Sequence, residues 1–327
     1  MRTTIAAILL GIFFAVIAVK TIIKIPTLNT HITRWNIQSI DTMKFSRDLA
    51  REKLNDKNFP NIIDTQVSLI AKTGATHIAI ATPYDEEFIP ILSQWVRAAR
   101  KYKLKVWFRG NLAGWEGWFE YSKIDRKTHS QNIEKFIVSN SGLFEDGDVF
   151  ASCPECENGG PGDPRQTGDI EGHRKFLIDE YQMTSSAFKK IKKVVVSNFN
   201  SMNYDVAKVI MDKNTTEKLG GIIVVDHYVS SPDKTVTDLE ELSKETNGLI
   251  VLGEVGAPIP DIQGEMTDSQ QNEWIAQLFK KLSESNKIIG INYWTGFGSS
   301  TEIWNAEYKP HLAVHTISTF FNPPLAP

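Results

Sequence analysis

Short apolar runs alternate with longer stretches of helical spacing along most of the chain. The runs HIAIA, KKVVVS, GIIVV and KIIGIN place apolar residues at successive rather than alternate positions, as strands do when both faces of a sheet are covered. Strands are predicted at residues 31–37, 76–82, 104–109, 148–153, 192–198, 221–226, 248–254 and 287–294. Between them, apolar residues recur at spacings of three and four, as in Ile63, Val67 and Ile70, or Trp274, Leu278 and Leu282. Several helical stretches end in Lys or Arg just before a strand, which suits the negative end of a helix dipole. Eight strand–helix pairs predict one closed α/β structure, a single (β/α)8 TIM barrel over residues 25–327. An open doubly wound sheet would carry a glycine-rich turn after its first strand, and WNIQSIDTMK is not one.

The amino terminus breaks this pattern. Residues 5–19, IAAILLGIFFAVIAV, are uniformly apolar, with Arg2 before them and Lys20 and Lys24 after. Residues 1–24 therefore read as a secretory signal peptide or an uncleaved signal anchor. A buried core helix is the third reading. With basic residues on both flanks, the charge asymmetry that orients membrane segments decides nothing here. The first two readings put the remainder outside the cytoplasm, secreted or held at the membrane by this segment alone.

Composition narrows the function. Of 327 residues, 41% are hydrophobic and 23% charged, which excludes wholesale disorder. The formal net charge of −3 argues against a broad nucleic-acid surface. Two cysteines cannot build a multi-bridge scaffold. Cys153 and Cys156 also lack the second ligand pair that a structural zinc site needs, so a disulfide between them, pinning their loop, is the expectation. His31, His311 and His315 read as ordinary residues, because the run between the last two lacks the glutamate of a zinc-protease helix.

In a barrel of this kind the chemistry gathers at the C-terminal ends of the strands. Those ends offer Trp35, Asn36, Gln38 and Asp41, then Thr82, Tyr84 and Asp85, then Arg109, Asn111, Trp115, Glu116 and Trp118. The fourth strand leads into Cys153-Pro154-Glu155-Cys156-Glu157, and the fifth offers Asn198 and Asn200. The sixth gives Asp226, His227 and Tyr228, the seventh Glu254, and the eighth Asn292 and Trp294. Glu155 and Glu254 thus project into one mouth from opposite sides. Two carboxylates there, among aromatic faces and amides, are the groups that acetal hydrolysis needs: one to protonate the leaving oxygen, one to meet the oxocarbenium-like centre. Trp35, Arg109, Asn198, His227, Tyr228, Asn292 and Trp294 are the expected sugar contacts, with Tyr228 donating to Glu254. Trp115 and Trp118 either stack on sugar or cap the rim.

This arrangement resembles the clan A glycoside hydrolases, the retaining (β/α)8 glycosidases. Pro154-Glu155-Cys156-Glu157 is similar to the clan's Asn-Glu-Pro-Glu run on strand four, and Leu252-Gly253-Glu254 to its strand-seven motif; Trp294 matches its strand-eight Trp, and His227 and Tyr228 its strand-six His or Tyr. The resemblance implies Glu155 as acid/base, Glu254 as nucleophile, a carbohydrate substrate and no cofactor or metal. Pro154 stands where the clan has the Asn that holds the substrate 2-hydroxyl, which leaves Glu157 as an alternative acid. Two further readings stay open at this point. One is a carbohydrate-binding barrel without catalysis. The other is a phosphosugar enzyme using the loops GEVGAP and WTGFGSS, although no Lys ends a strand as a Schiff-base enzyme would require.

Overall fold

The computed structural model describes residues 34–323. The expected signal or anchor segment, residues 1–24, lies outside the described residues. Among the described residues no helix is long and apolar enough to cross a membrane.

Eight strands form one parallel sheet: β1 Ile37–Asp41, β2 His77–Ile80, β3 Lys105–Phe108, β4 Val149–Phe150, β5 Ser201–Asn203, β6 Ile222–Asp226, β7 Leu249–Val255 and β8 Ile288–Tyr293. β1 pairs with both β2 and β8, and the sheet runs from there to β4 on one side and β5 on the other. A bridge between Val149 and Val196 closes the ring. Each strand is followed by a helix: α1 Phe59–Lys72, α2 Ile89–Lys101, α3 Arg126–Ser139, α4 Ile170–Lys190, α5 Tyr204–Ile210, α6 Pro232–Thr246, α7 Asp268–Glu284 and α8 Leu312–Phe321. The predicted (β/α)8 barrel is the observed fold.

Two cores explain the apolar runs. Ala79, Trp107, Val149, Phe199, Val224 and Val251 fill the barrel. Their neighbours Ile78, Ile80, Val106, Phe108, Val225, Ile250 and Leu252 face the helices. Successive residues are therefore buried on opposite faces, which removes the alternation of a half-exposed strand.

Two strands sit away from their predicted places. β1 begins where residues 31–37 were expected to end. Its sequence, IQSID, is polar because Asp41 enters the polar upper barrel while Gln38 bonds the backbone of Phe321 and Gly74. Apolarity therefore pointed to the segment before it. In the fifth strand, Val196 and Phe199 hydrogen-bond to Phe150 of β4, and Val194 and Val196 to Gly147 and Asp148 just before it. Only after them does Ser201–Asn203 pair with β6. The apolar run marks the lower half, and the upper half, SMN, is polar because it lines the mouth.

Candidate active site

Arg109, one residue beyond β3, stands at the centre of the upper barrel and is 2% exposed. Its Nη1 donates to Asp41 Oδ2 at 2.7 Å and to Glu254 Oε1 at 2.8 Å. Its Nη2 donates to Ser201 Oγ at 3.1 Å and Asp226 Oδ2 at 3.3 Å. One guanidinium thus faces three carboxylates from β1, β6 and β7. Burial pushes the proton affinity of all three up, and hardest for Asp226, which also feels the charge of Glu254. Asp41 accepts from Arg109, Asn292 and the Met43 amide, and Glu254 from Arg109 and Tyr228, whereas Asp226 Oδ1 has no partner among the described residues.

A bulge aims Glu254. Val225 pairs with Leu252, but Asp226 pairs with Glu254, so Gly253 is the extra residue. A Cβ at Gly253 would lie 2.5 Å from Asp226 Oδ1 and 2.9 Å from Val224 Cγ1. Only glycine fits there, and the bulge turns the next side chain into the mouth. Glu254 Oε2 then accepts from Tyr228 OH at 2.9 Å. Each carboxylate oxygen has one strong donor and keeps a lone pair free. Arg109 and Tyr228 favour the ionised form, against burial and the charge of Glu155.

Glu155 stands on the loop after β4, in the left-handed region at φ 47°, ψ 50°. That conformation costs an L-residue about 1–2 kcal/mol, and the loop is closed on both sides of it. Cys153 and Cys156 are joined as a disulfide. The Glu155 amide donates to Ser201 O at 2.7 Å, Cys153 N to Asn200 Oδ1 at 3.0 Å, and Trp115 Nε1 to Cys156 O at 3.0 Å. Asn203 Nδ2 donates to Glu155 Oε1 at 3.2 Å and Glu157 Oε1 at 3.1 Å. Burial first, then the charge of Glu157, raise the pKa of Glu155, while Arg109, Arg47 and the Asn203 amide oppose them. Glu157 is 3% exposed, and its Oε2 has no partner. Glu116, on the loop after β3, is pushed up to about 7 by burial and by the charges of Glu155 and Glu157. Trp294 ends β8 with its ring edge-on to Tyr228, centroids 6.1 Å apart. Lys44 lies over its ring at 5.4 Å.

Glu155, Glu254, Arg109, Tyr228 and Trp294 thus meet at the mouth, and four other expected contacts do not. Trp35 is 3% exposed at the opposite end of the barrel, edge-on to Phe279 and Phe321. It precedes β1 instead of ending it. Asn198 belongs to the lower half of the fifth strand, where its amide bonds Leu219 O ahead of β6. Asn292 is sealed at 0% exposure, with its amide protons on Asp41 and Gly253. His227 turns toward the helices, with Nε2 2.8 Å from Asp238 of α6 and its ring against Tyr204 at 4.2 Å. Trp115 is 1% exposed, stacked on Phe176 beneath the Glu155 loop. Sequence reasoning missed Ser201 and Asn203. The signal for them was the helical spacing of Val206, Ala207 and Ile210, which puts the strand end just before Tyr204.

No protein-family model and no curated protein matches the sequence. Solved structures do share the barrel, glycoside hydrolases among them. The β-D-glucuronidase of Dictyoglomus thermophilum superposes with a TM-score of 0.55 at 15% identity over 81% of this chain and 47% of its own. Bacteroides uniformis β-glucuronidase 2, covalently bound to cyclophellitol-6-carboxylate aziridine, gives 0.56 at 10% identity over 81% of this chain and 33% of its own. A GH5_18 protein of Bifidobacterium longum subsp. longum, in complex with Manβ1-4GlcNAc, gives 0.59 at 11% identity over 87% and 78%. The present chain spans less than half the length of these two glucuronidases. At such identities the likeness is one of fold.

Proposed function

We propose that this protein is a retaining glycoside hydrolase acting on an oligo- or polysaccharide, with Glu254 as nucleophile and Glu155 as general acid/base. One observation carries the proposal: Glu254 is held between Arg109 and Tyr228 in a barrel mouth that Glu155 enters from the opposite side on a cross-linked loop. The glycoside hydrolases that share the fold support it, one of them bound covalently to a cyclitol aziridine. The Cys153–Cys156 disulfide and the apolar amino-terminal segment support a working place outside the cytoplasm.

In the first step a Glu254 oxygen attacks the anomeric carbon. The glycosidic C–O bond breaks as Glu155 gives its proton to the leaving oxygen, and a glycosyl ester forms on Glu254. Forming the ester removes the negative charge from Glu254, so the pKa of Glu155 falls and it becomes the base for the second step. Water gives it a proton and attacks the same carbon, the ester bond to Glu254 breaks to return its carboxylate, and the sugar leaves with its configuration retained. Arg109 keeps Glu254 ionised at the start and Tyr228 orients it. Trp294 offers an apolar face to the sugar.

Leaving-group dependence separates the two roles. Glu155→Ala is expected to lose at least about 100-fold in kcat/KM on substrates with poor leaving groups, the usual worth of a general acid, and far less on nitrophenyl glycosides. Glu254→Ala is expected to be inactive on both, with azide restoring turnover only where a carboxylate was removed. Wild-type rates for both variants on every responsive substrate would rule the proposal out.

A further inference from the structure

The end of the barrel opposite the mouth carries an unusual surface. The turns leading into the strands present Lys103 before β3, Lys189, Lys190, Lys192 and Lys193 before the fifth strand, and Lys287 before β8. Five of these are exposed, Lys193 is half-buried, and none has an acidic partner among the described residues. Lys189 and Lys190 close α4 and suit its dipole, but Lys103, Lys192, Lys193 and Lys287 lie beyond the helices. Five acids are also exposed on this face, Glu145, Asp146, Glu217, Glu245 and Glu284, and with Lys218 and Lys244 the exposed lysines number seven. Among the lysines stand two large apolar side chains open to solvent, Val194 at 54% exposure and Leu249 at 39%. Basic residues on the same face as exposed aliphatic ones are what an anionic interface with an apolar layer beneath it attracts.

The path of the chain points the same way. Trp35, Phe279 and Phe321 pack together at this end, and the Asn36 amide bonds Ile289 O at the start of β8. The chain therefore enters the barrel through its base. Only fourteen residues separate the apolar run 5–19 from Arg34, a reach of at most about 50 Å when fully extended.

We propose that the base of the barrel docks on an anionic lipid bilayer, so that the mouth carrying Glu155 and Glu254 faces away from the membrane. The proposal does not depend on the hydrolase chemistry. Each lysine near such a surface strengthens partitioning about fivefold, and the attraction fades as salt shortens the Debye length.

The test maps lysine reactivity on the full chain. The protein is reconstituted with vesicles of phosphatidylcholine alone, or of an equimolar mixture with phosphatidylglycerol, and treated with an amine-reactive reagent. Labelling is read lysine by lysine by peptide mass spectrometry. Lys103, Lys192 and Lys193 are expected to be protected about fivefold or more in the anionic vesicles and to regain reactivity in high salt. Lys123 and Lys309, exposed in the loops after β3 and β8, are expected to stay reactive throughout. In a Lys190→Glu/Lys192→Glu/Lys193→Glu variant that keeps the wild-type circular dichroism, protection of Lys103 is expected to vanish. Equal labelling in both vesicles, equal protection in neutral ones, or protection of Lys123 and Lys309 as well would each overturn the proposal.

Discussion

Glu155 and Glu157 stand two residues apart and share one side-chain amide, that of Asn203. The general acid must carry its proton at working pH. The groups acting on Glu155 include Glu157 and Glu254 against its ionisation, and Arg47, Arg109 and Asn203 in favour of it. Removing the charge of Glu157 takes away the second-largest upward influence. Glu157→Gln is therefore expected to move the alkaline limb of the kcat/KM profile to lower pH, with a smaller effect on the maximum; an unmoved limb would show that Glu157 does not set the proton of Glu155. Asp226 gives a prediction for stability. Its folded pKa lies well above the unfolded one, so its contribution is complete below the unfolded value and is lost as pH rises through the folded one. Asp226→Asn mimics the protonated form, and its Tm is expected to fall less than that of wild type between mildly acidic and alkaline pH. A parallel fall in both proteins would contradict this assignment.

At the scale of elements, the cross-linked loop after β4 and the bulge in β7 set the two carboxylates. A loop this short gains only about 2 kcal/mol from its disulfide on the chain-entropy account. Its main effect is local: it helps keep Glu155 in a left-handed conformation. A Cys153→Ser/Cys156→Ser variant is expected to stay folded, with a modest loss of Tm, and to lose about tenfold or more in kcat with a smaller change in KM, since misplacing an acid costs transition-state rather than ground-state binding. The elements were legible in the sequence where burial is hydrophobic on both faces, as in β2, β3, β6, β7 and β8. They were displaced where the barrel lining turns polar. β1 and β5 supply Asp41, Ser201 and Asn203 to the candidate site, and these polar lining residues are what diluted the apolar signal by which a buried strand is found.

Across the whole molecule, the site was legible as far as the fold decides which end of each strand faces the mouth. Glu155, Arg109, Tyr228, Glu254 and Trp294 follow from that rule. Asn292 obeys it too, but lies one layer too deep. Trp35 and Asn198 failed because a shift in strand register moves a residue from mouth to base. The distinction is measurable. Trp35→Ala is expected to cost about 3–5 kcal/mol of stability, the usual toll for emptying an aromatic core position, with KM unchanged. Trp294→Ala is expected to raise KM with little loss of Tm. The reverse pattern would return Trp35 to the substrate.

The central claim is that Glu254 becomes covalently bound to sugar during turnover. The most direct measurement is to incubate the full chain in detergent with a panel of 2-deoxy-2-fluoro glycosides, whose slowed second step lets the glycosyl-enzyme accumulate, and to map the adduct by peptide mass spectrometry. An adduct is expected on Glu254, absent from Glu254→Gln and accompanied by loss of activity. An adduct on another residue, or hydrolysis with inverted configuration and no adduct from any sugar that is turned over, would contradict it.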